Sequence, residues 1–226
     1  MTHINHHPAP DLLRDFAAGT LAPSTALLIA AHREYCSHCQ QQIANHEALL
    51  AQTALEADGG DDQPALDGML ETLLAHLPEH TVREPEALPT AIQPLTLHHR
   101  TFELPQVLAR QLHQPTRWSA LPGRLHQARL AVENSHLNFI HMDKNSGVPT
   151  HTHKGREYTL VLHGGFSDAN GDYRLGDFVC LDQRHQHQPQ TDSHEDCLVI
   201  SALEGPLHFT SGLARLFNPL SQLFFR

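Results

Sequence analysis

Two short stretches carry residue types suited to binding metals. In AHREYCSHC (31–39), His32, Cys36 and Cys39 are spaced i, i+4 and i+7. On a helix turning roughly 100° per residue, these three side chains fall within about 60° of one another. His38 points to nearly the opposite side. Two thiolates and one imidazole on one face are three of the four ligands of a structural zinc site. On spacing alone the fourth stays open between His3, His6 and His7, just ahead of the first expected helix. Two rival readings are a redox Cys-x-x-Cys pair and two inert buried cysteines. Redox pairs usually sit at a helix N-terminus, where the dipole lowers a thiol pKa, whereas this pair lies inside the expected helix.

The second stretch is GVPTHTHKGREYTLVLHG (147–164), with His151, His153 and Glu157. In an extended chain His151 and His153 point the same way, and Glu157 can follow suit. Such a set is a candidate metal centre; Glu157 as a general base is the alternative. The chain shows no Ser-His-Asp signature and no phosphate-cradling glycine loop.

Composition limits the partners. The chain has 226 residues with 15 basic and 25 acidic side chains, a formal net charge of −10. Direct nucleic-acid binding is not expected, because neutralising phosphates needs a basic face. No apolar run is long enough to span a membrane. The opening MTHINHHPAP lacks the pattern of a signal peptide. Four cysteines do not make a disulfide scaffold, which points to a reduced, cytoplasmic protein. There are 21 histidines, so a lone histidine carries little weight.

The elements that must position these residues fall into two groups. Asp11 to Ala18 reads as a helix with Leu12, Leu13 and Phe16 on one stripe, stopped by Gly19. A long helix is expected from Pro23–Ser24 to about Ala57, broken by ADGGDDQ. PALDGMLETLLAHL then aligns Leu66, Met69, Leu70, Leu73, Leu74 and Leu77, a stripe expected to be bundle core, with Pro78 ending the helix. Four prolines between Pro78 and Leu97 read as an extended linker. A short helix is expected over Leu104 to Leu112. After Trp118, LHQARLAV, HLNFIHM, EYTLVLHG, DFVCL and CLVISAL alternate with turns at Asn145-Ser146-Gly147 and Ala169-Asn170-Gly171. Many short strands indicate a β-sandwich or barrel. Cys180 and Cys197 are expected in its core. Leu216, Phe217, Leu220, Leu223 and Phe224 have helical spacing and are expected to cover it.

The H-x3-C-x2-C pattern in a short helical N-terminal region resembles the zinc-dependent anti-sigma factors. HHPAPDLLRDFAAGTL followed by HREYCSHC looks like their ChrR-type branch. That resemblance implies His7, the second of a histidine pair ahead of the first helix, as fourth ligand beside His32, Cys36 and Cys39. The H-x-H-x3-E-x6-G spacing ending at Gly164 resembles the first cupin motif, and YRLGDFVCLDQRHQHQP (173–189) the second. Placing the last ligand eleven residues after Gly176, as that branch does, gives His187, with His185 as the alternative. Two departures from the general pattern, a leading glycine close to His151 and no trailing asparagine, bear most on His187. The closing GPLHFT and RLFNPLSQLFFR extend the resemblance over nearly the whole chain.

The resemblance implies an α+β protein of two domains. Residues 1–97 form a zinc-binding helical anti-sigma domain, with the proline-rich linker from about 78, and residues 98–226 a cupin jelly roll. The expected function is inhibition of an extracytoplasmic-function sigma factor, with the cupin tuning release to oxidative stress or a small ligand. Zinc is expected at the first site. At the second, His151, His153, Glu157 and His187 suit zinc first, and also manganese, iron or nickel. A second copy of the chain is a further candidate partner. The alternative function is a metal-dependent cupin oxygenase or isomerase.

Overall fold

A computed structural model describes residues 4–57, 63–76, 94–113, 117–133, 135–205 and 207–210. Helix α1 (Pro10–Ala17) has a proline in its first turn, where a missing N–H costs nothing. It is followed by Gly19 at φ 68°, a left-handed conformation that favours glycine. The expected single helix from Pro23 to about Ala57 is two helices, α2 (Pro23–Tyr35) and α3 (Ser37–Ala57). Cys36 between them is extended, at φ −117° and ψ 100°. Good helix formers lie on both sides, so propensity does not mark the break. Its physical basis is a cap: Cys36 Sγ accepts the Cys39 N–H at 3.4 Å, as an N-cap side chain does at the third residue of a helix.

Helix α4 (Gln63–Ala75) follows. The described part of its apolar stripe is not bundle core; the Leu66 and Leu77 side chains lie outside the described residues. Met69, Leu70, Leu73 and Leu74 are exposed, as are Leu49, Leu50 and Leu55 on α3. The linker lies largely outside the described residues, but Leu95–Leu97 is strand β1, hairpinned to β2 (Arg100–Phe102). The expected boundary after Leu97 falls within that hairpin. The next helix, α5 (Gln106–Ala109), is shorter than expected. Pro105 starts it, and the Glu34 carboxylate of α2 accepts its first N–H groups, from Gln106 at 2.7 Å and Val107 at 2.9 Å.

The remaining strands are β3 (Trp118–Leu121), β4 (Leu125–Val132), β5 (Ser135–Met142), β6 (His151–His153), β7 (Glu157–His163), β8 (Gly165–Asp168), β9 (Gly171–Arg174), β10 (Phe178–Leu181), β11 (Cys197–Leu203) and β12 (Leu207–Phe209). Six form an antiparallel sheet in the order β10-β7-β11-β5-β4-β3. The pairs β12-β6 and β8-β9, with bridges from His187 to His151 and from Gln190 to Gly147 and Ser167, build the opposing layer. This is the expected cupin-like β domain.

Strands β7 and β11 are buried on both faces, which is why EYTLVLHG and CLVISAL read as almost continuous apolar runs. One face, with Leu137, Phe139, Leu160, Phe178 and Ile200, shares a core with Leu28 and Ile29 of α2. The other, with Val161, Val199 and Leu181, packs with Phe166 and Tyr173 of the small layer. Cys197 is buried as expected, but Cys180 is exposed, because β10 is an edge strand and this position points outward. The C-terminal apolar stripe lies outside the described residues. Among the described residues, no helix is long and apolar enough to cross a membrane.

Candidate metal centres

The first centre is assembled by three pieces of chain. His32 lies in the last turn of α2, Cys36 between α2 and α3, Cys39 in the first turn of α3, and His7 just before α1. One ligand-capable atom from each of the four lies within 4.8 Å of the others. His7 Nδ1 is 3.4 Å from both Cys36 Sγ and Cys39 Sγ. His32 is fully buried, and its Nδ1–H donates to the Gly176 carbonyl at 2.8 Å. That bond fixes the tautomer and leaves Nε2 as a lone pair, buried without a hydrogen-bond partner. Burial holds the His32 pKa near 4 and pushes the Cys39 thiol up to about 12, aided by Cys36. Two buried cysteines and the buried His32 Nε2 lone pair converge with His7 on one point, an arrangement that fits a divalent cation, to which the cysteines would bind as thiolates.

The three ligands converge because the chain breaks at Cys36 and α3 begins just after it, not because one helix face carries them. The cysteine pair therefore does sit at a helix N-terminus, contrary to expectation. His38 is exposed, and its ring touches that of His7 at 5.4 Å between centroids. His6 turns to the barrel, its ring 4.7 Å from Tyr173 and its Nδ1 3.4 Å from Asp177. His3 lies outside the described residues.

The barrel holds this site in place. Asp177, fully buried, accepts N–H groups from Asn5 at 2.8 Å, His6 at 3.0 Å and Arg174 at 2.9 Å. Burial works against its ionised form, but those bonds keep its pKa below the ordinary value. Gly176 is at φ 89°, and a Cβ there would lie 2.9 Å from Ile4 Cδ1. The turn before β10 is thus fitted closely against the segment that carries His7. Spacing could not have found Gly176 or Asp177 as supports for this centre, since they lie far from it in sequence.

The second centre lies between the layers of the barrel. His151 and His153 come from β6, Glu157 opens β7, and His187 bridges to His151. All four are buried. His187 Nε2 is 2.9 Å from His151 Nε2 and 3.2 Å from His153 Nε2, and Glu157 Oε2 is 3.0 Å from His153 Nε2. His151 Nδ1–H donates to the Pro149 carbonyl at 2.8 Å, and His187 Nδ1–H to Asp168 at 3.1 Å. Both bonds aim the opposite ring nitrogen at the common centre. Burial lowers the His187 pKa and, with His187 close by, holds His151 near 4. Burial opposes ionisation of Glu157, but the His153 hydrogen bond and the surrounding imidazoles bring it to about 2. Three imidazole nitrogens and a carboxylate facing one point fit a divalent cation. His185 is turned away and paired with Asp182 at 2.9 Å. Gly164, at φ 62°, has no room for a side chain: a Cβ would meet the Asp196 carbonyl at 1.9 Å. A polar groove lined by Thr150, Ser167, Asp168 and Gln186 reaches His187 from outside.

Residues 110–207 match the family described as the ChrR Cupin-like domain. The chain is 31% identical over 233 residues to the anti-sigma-E factor ChrR of Cereibacter sphaeroides, covering 99% of each. It is also similar to a solved structure of Rhodobacter sphaeroides SigE in complex with the anti-sigma ChrR. There the TM-score is 0.68 at 27% identity, covering 89% of this chain and all of that one.

Proposed function

Since the chain belongs to the ChrR family of anti-sigma factors, we propose that it binds and inhibits an extracytoplasmic-function sigma factor through the exposed faces of α3 and α4. The observation that carries this reading is the row of large apolar side chains left in solvent. Leu49, Leu50, Leu55, Met69, Leu70, Leu73 and Leu74 are between 43% and 78% exposed. A helix with this much exposed apolar surface is an interaction element. The net charge of −10 suits a partner whose basic surfaces otherwise meet DNA and RNA polymerase. A partner of that kind works in the cytoplasm, and this reading gives the chain a regulatory rather than an enzymatic role there.

The division of labour follows the chain. Residues 1–97 carry inhibition, and zinc on His7, His32, Cys36 and Cys39 keeps α1, α2 and α3 in one arrangement. Residues 98–226 carry the response. A divalent metal, zinc in the first instance, held by His151, His153, Glu157 and His187 exchanges a ligand with a small molecule or oxidant and biases a two-state interface. The close fit of the turn at Gly176–Asp177 against the His7 segment supports a physical link between the two centres.

The test is the double substitution Leu70→Asp/Leu73→Asp. Each leucine is a little over half exposed, so covering it on binding contributes about 1 kcal/mol. Loss of both weakens sigma binding at least tenfold, about 1.4 kcal/mol or more. Metal content and thermal unfolding stay at wild-type values, because neither side chain is buried in the free protein. Unchanged affinity in the double variant rejects this face as the contact surface.

A further inference from the structure

Away from both centres, polar residues form a row on the helix-facing side of the six-stranded sheet. The register sets His126 of β4 opposite His141 of β5, and His141 opposite Leu198 of β11. His141 therefore shares a face with Leu137 and Phe139, whereas the barrel centre lies between the layers on the other side. Asp143 follows two residues after His141. One ligand-capable atom from each of His126, His141 and Asp143 lies within 4.8 Å of the others.

The hydrogen bonding here is unbalanced in one direction. His141 is 5% exposed, and its Nε2 lies 2.8 Å from Asp196 Oδ2. An ionised carboxylate only accepts, so Nε2–H donates, and in the neutral ring the lone pair is then on Nδ1. That Nδ1 is buried without a hydrogen-bond partner and faces Asp143 Oδ1, another acceptor, at 3.5 Å. Nδ1 of His126 is also buried without a partner. Asp196 is itself held by an ion pair with Arg100 of β2. A fixed carboxylate behind an imidazole is the support that metal-binding histidines commonly have. The Asp143 side chain is 41% exposed, which gives an ion a way in.

We infer that His126, His141 and Asp143 form a third metal centre, for a divalent cation of borderline softness such as zinc. Two imidazoles and one carboxylate suit that class of ion. Water fills the outer positions, or His98 from the β1–β2 turn, whose ring centroid is 5.1 Å from that of His126. The ion joins β4 to β5 and, through Asp196 and Arg100, to the hairpin that follows the linker. The competing arrangement holds no metal: His141 is an imidazolium between Asp196 and Asp143.

The experiment is equilibrium dialysis of the full chain against buffered zinc at a concentration that saturates the wild type. Zinc per chain is then read by mass spectrometry. His126→Ala and Asp143→Asn should each hold one equivalent less than wild type, however many other ions the chain carries. His136→Ala, an exposed histidine on the same strand as His141, should lose none. Circular dichroism and the thiolate absorption of the cobalt-substituted first centre check that the variants are folded. Equal zinc in wild type, His126→Ala and Asp143→Asn overturns the inference in favour of the imidazolium. Equal loss in His136→Ala also overturns it, since the lost ion would then be a surface one.

Discussion

Asp177→Ala removes a carboxylate that belongs to the barrel but holds the segment carrying a bundle ligand. Three backbone N–H groups, from Asn5, His6 and Arg174, lose their acceptor, and His6 Nδ1 loses the carboxylate oxygen 3.4 Å away. A hydrogen bond to a charged group is worth about 1.5–3 kcal/mol. Partial relaxation to water reduces the sum, so the expected loss of stability is about 3–5 kcal/mol. The Phe178 N–H bond to the His6 carbonyl, at 3.0 Å, remains and keeps the segment nearby. His7 is then tethered but poorly aimed. Loss of such support typically costs about 10–100-fold in metal affinity. Asp177→Asn keeps one acceptor oxygen but turns an NH2 toward the remaining N–H, and should cost roughly half as much. The assay is cobalt substitution, because thiolate-to-cobalt absorption reports only the centre with Cys36 and Cys39. Competition against a chelator gives its affinity, and urea unfolding gives the stability. Wild-type cobalt affinity in Asp177→Ala would refute the claim that the barrel positions the bundle's centre.

Three further outcomes follow from the same geometry. Cys36→Ser removes a thiolate ligand but leaves a capping oxygen at the start of α3, so it should lose the first metal and sigma inhibition through the ligand alone, whereas His38→Ala should keep both; metal analysis and in vitro transcription check this. Acid should destabilise the metal-free protein: there His32 and His151 have pKa values near 4 against about 6.5 unfolded, so the unfolded chain binds more protons between those values and stability falls as pH drops. Urea titrations should show about 2 kcal/mol lost per imidazole between pH 7 and pH 5, and a flat profile counts against buried neutral histidines. Glu157→Ala should leave inhibition intact and blunt release under oxidative stress, measured with a sigma-dependent reporter; full induction in that variant argues against a sensing role.

The parts legible in the sequence were those set by local periodicity. The strand runs and the extended His151-x-His153 pair depend on a two-residue repeat, and the structure has the strands nearly where the pattern puts them. The helix break at Cys36 was not legible, because Ala, Gln and Glu on both sides favour helix and the cap is a cysteine rather than serine or aspartate. The stripe on α4 was legible as apolar, but an apolar stripe does not say whether its cover comes from the same chain or another. Cys180 was misplaced because DFVCL alone does not show that its strand is at the sheet edge. The supports at Gly176, Asp177 and Asp196, and the pairing of His126 with His141, depend on register between distant segments. No local spacing encodes that.

Titration of the metal-loaded full chain against its extracytoplasmic-function sigma factor in a calorimeter, with amide exchange followed across α3 and α4, tests the central claim most directly. The account predicts a one-to-one complex, with a negative heat-capacity change from apolar burial and exchange slowed on the exposed leucine faces. A folded, metal-loaded chain that gives no binding heat, with α4 exchanging equally fast in either case, would contradict it.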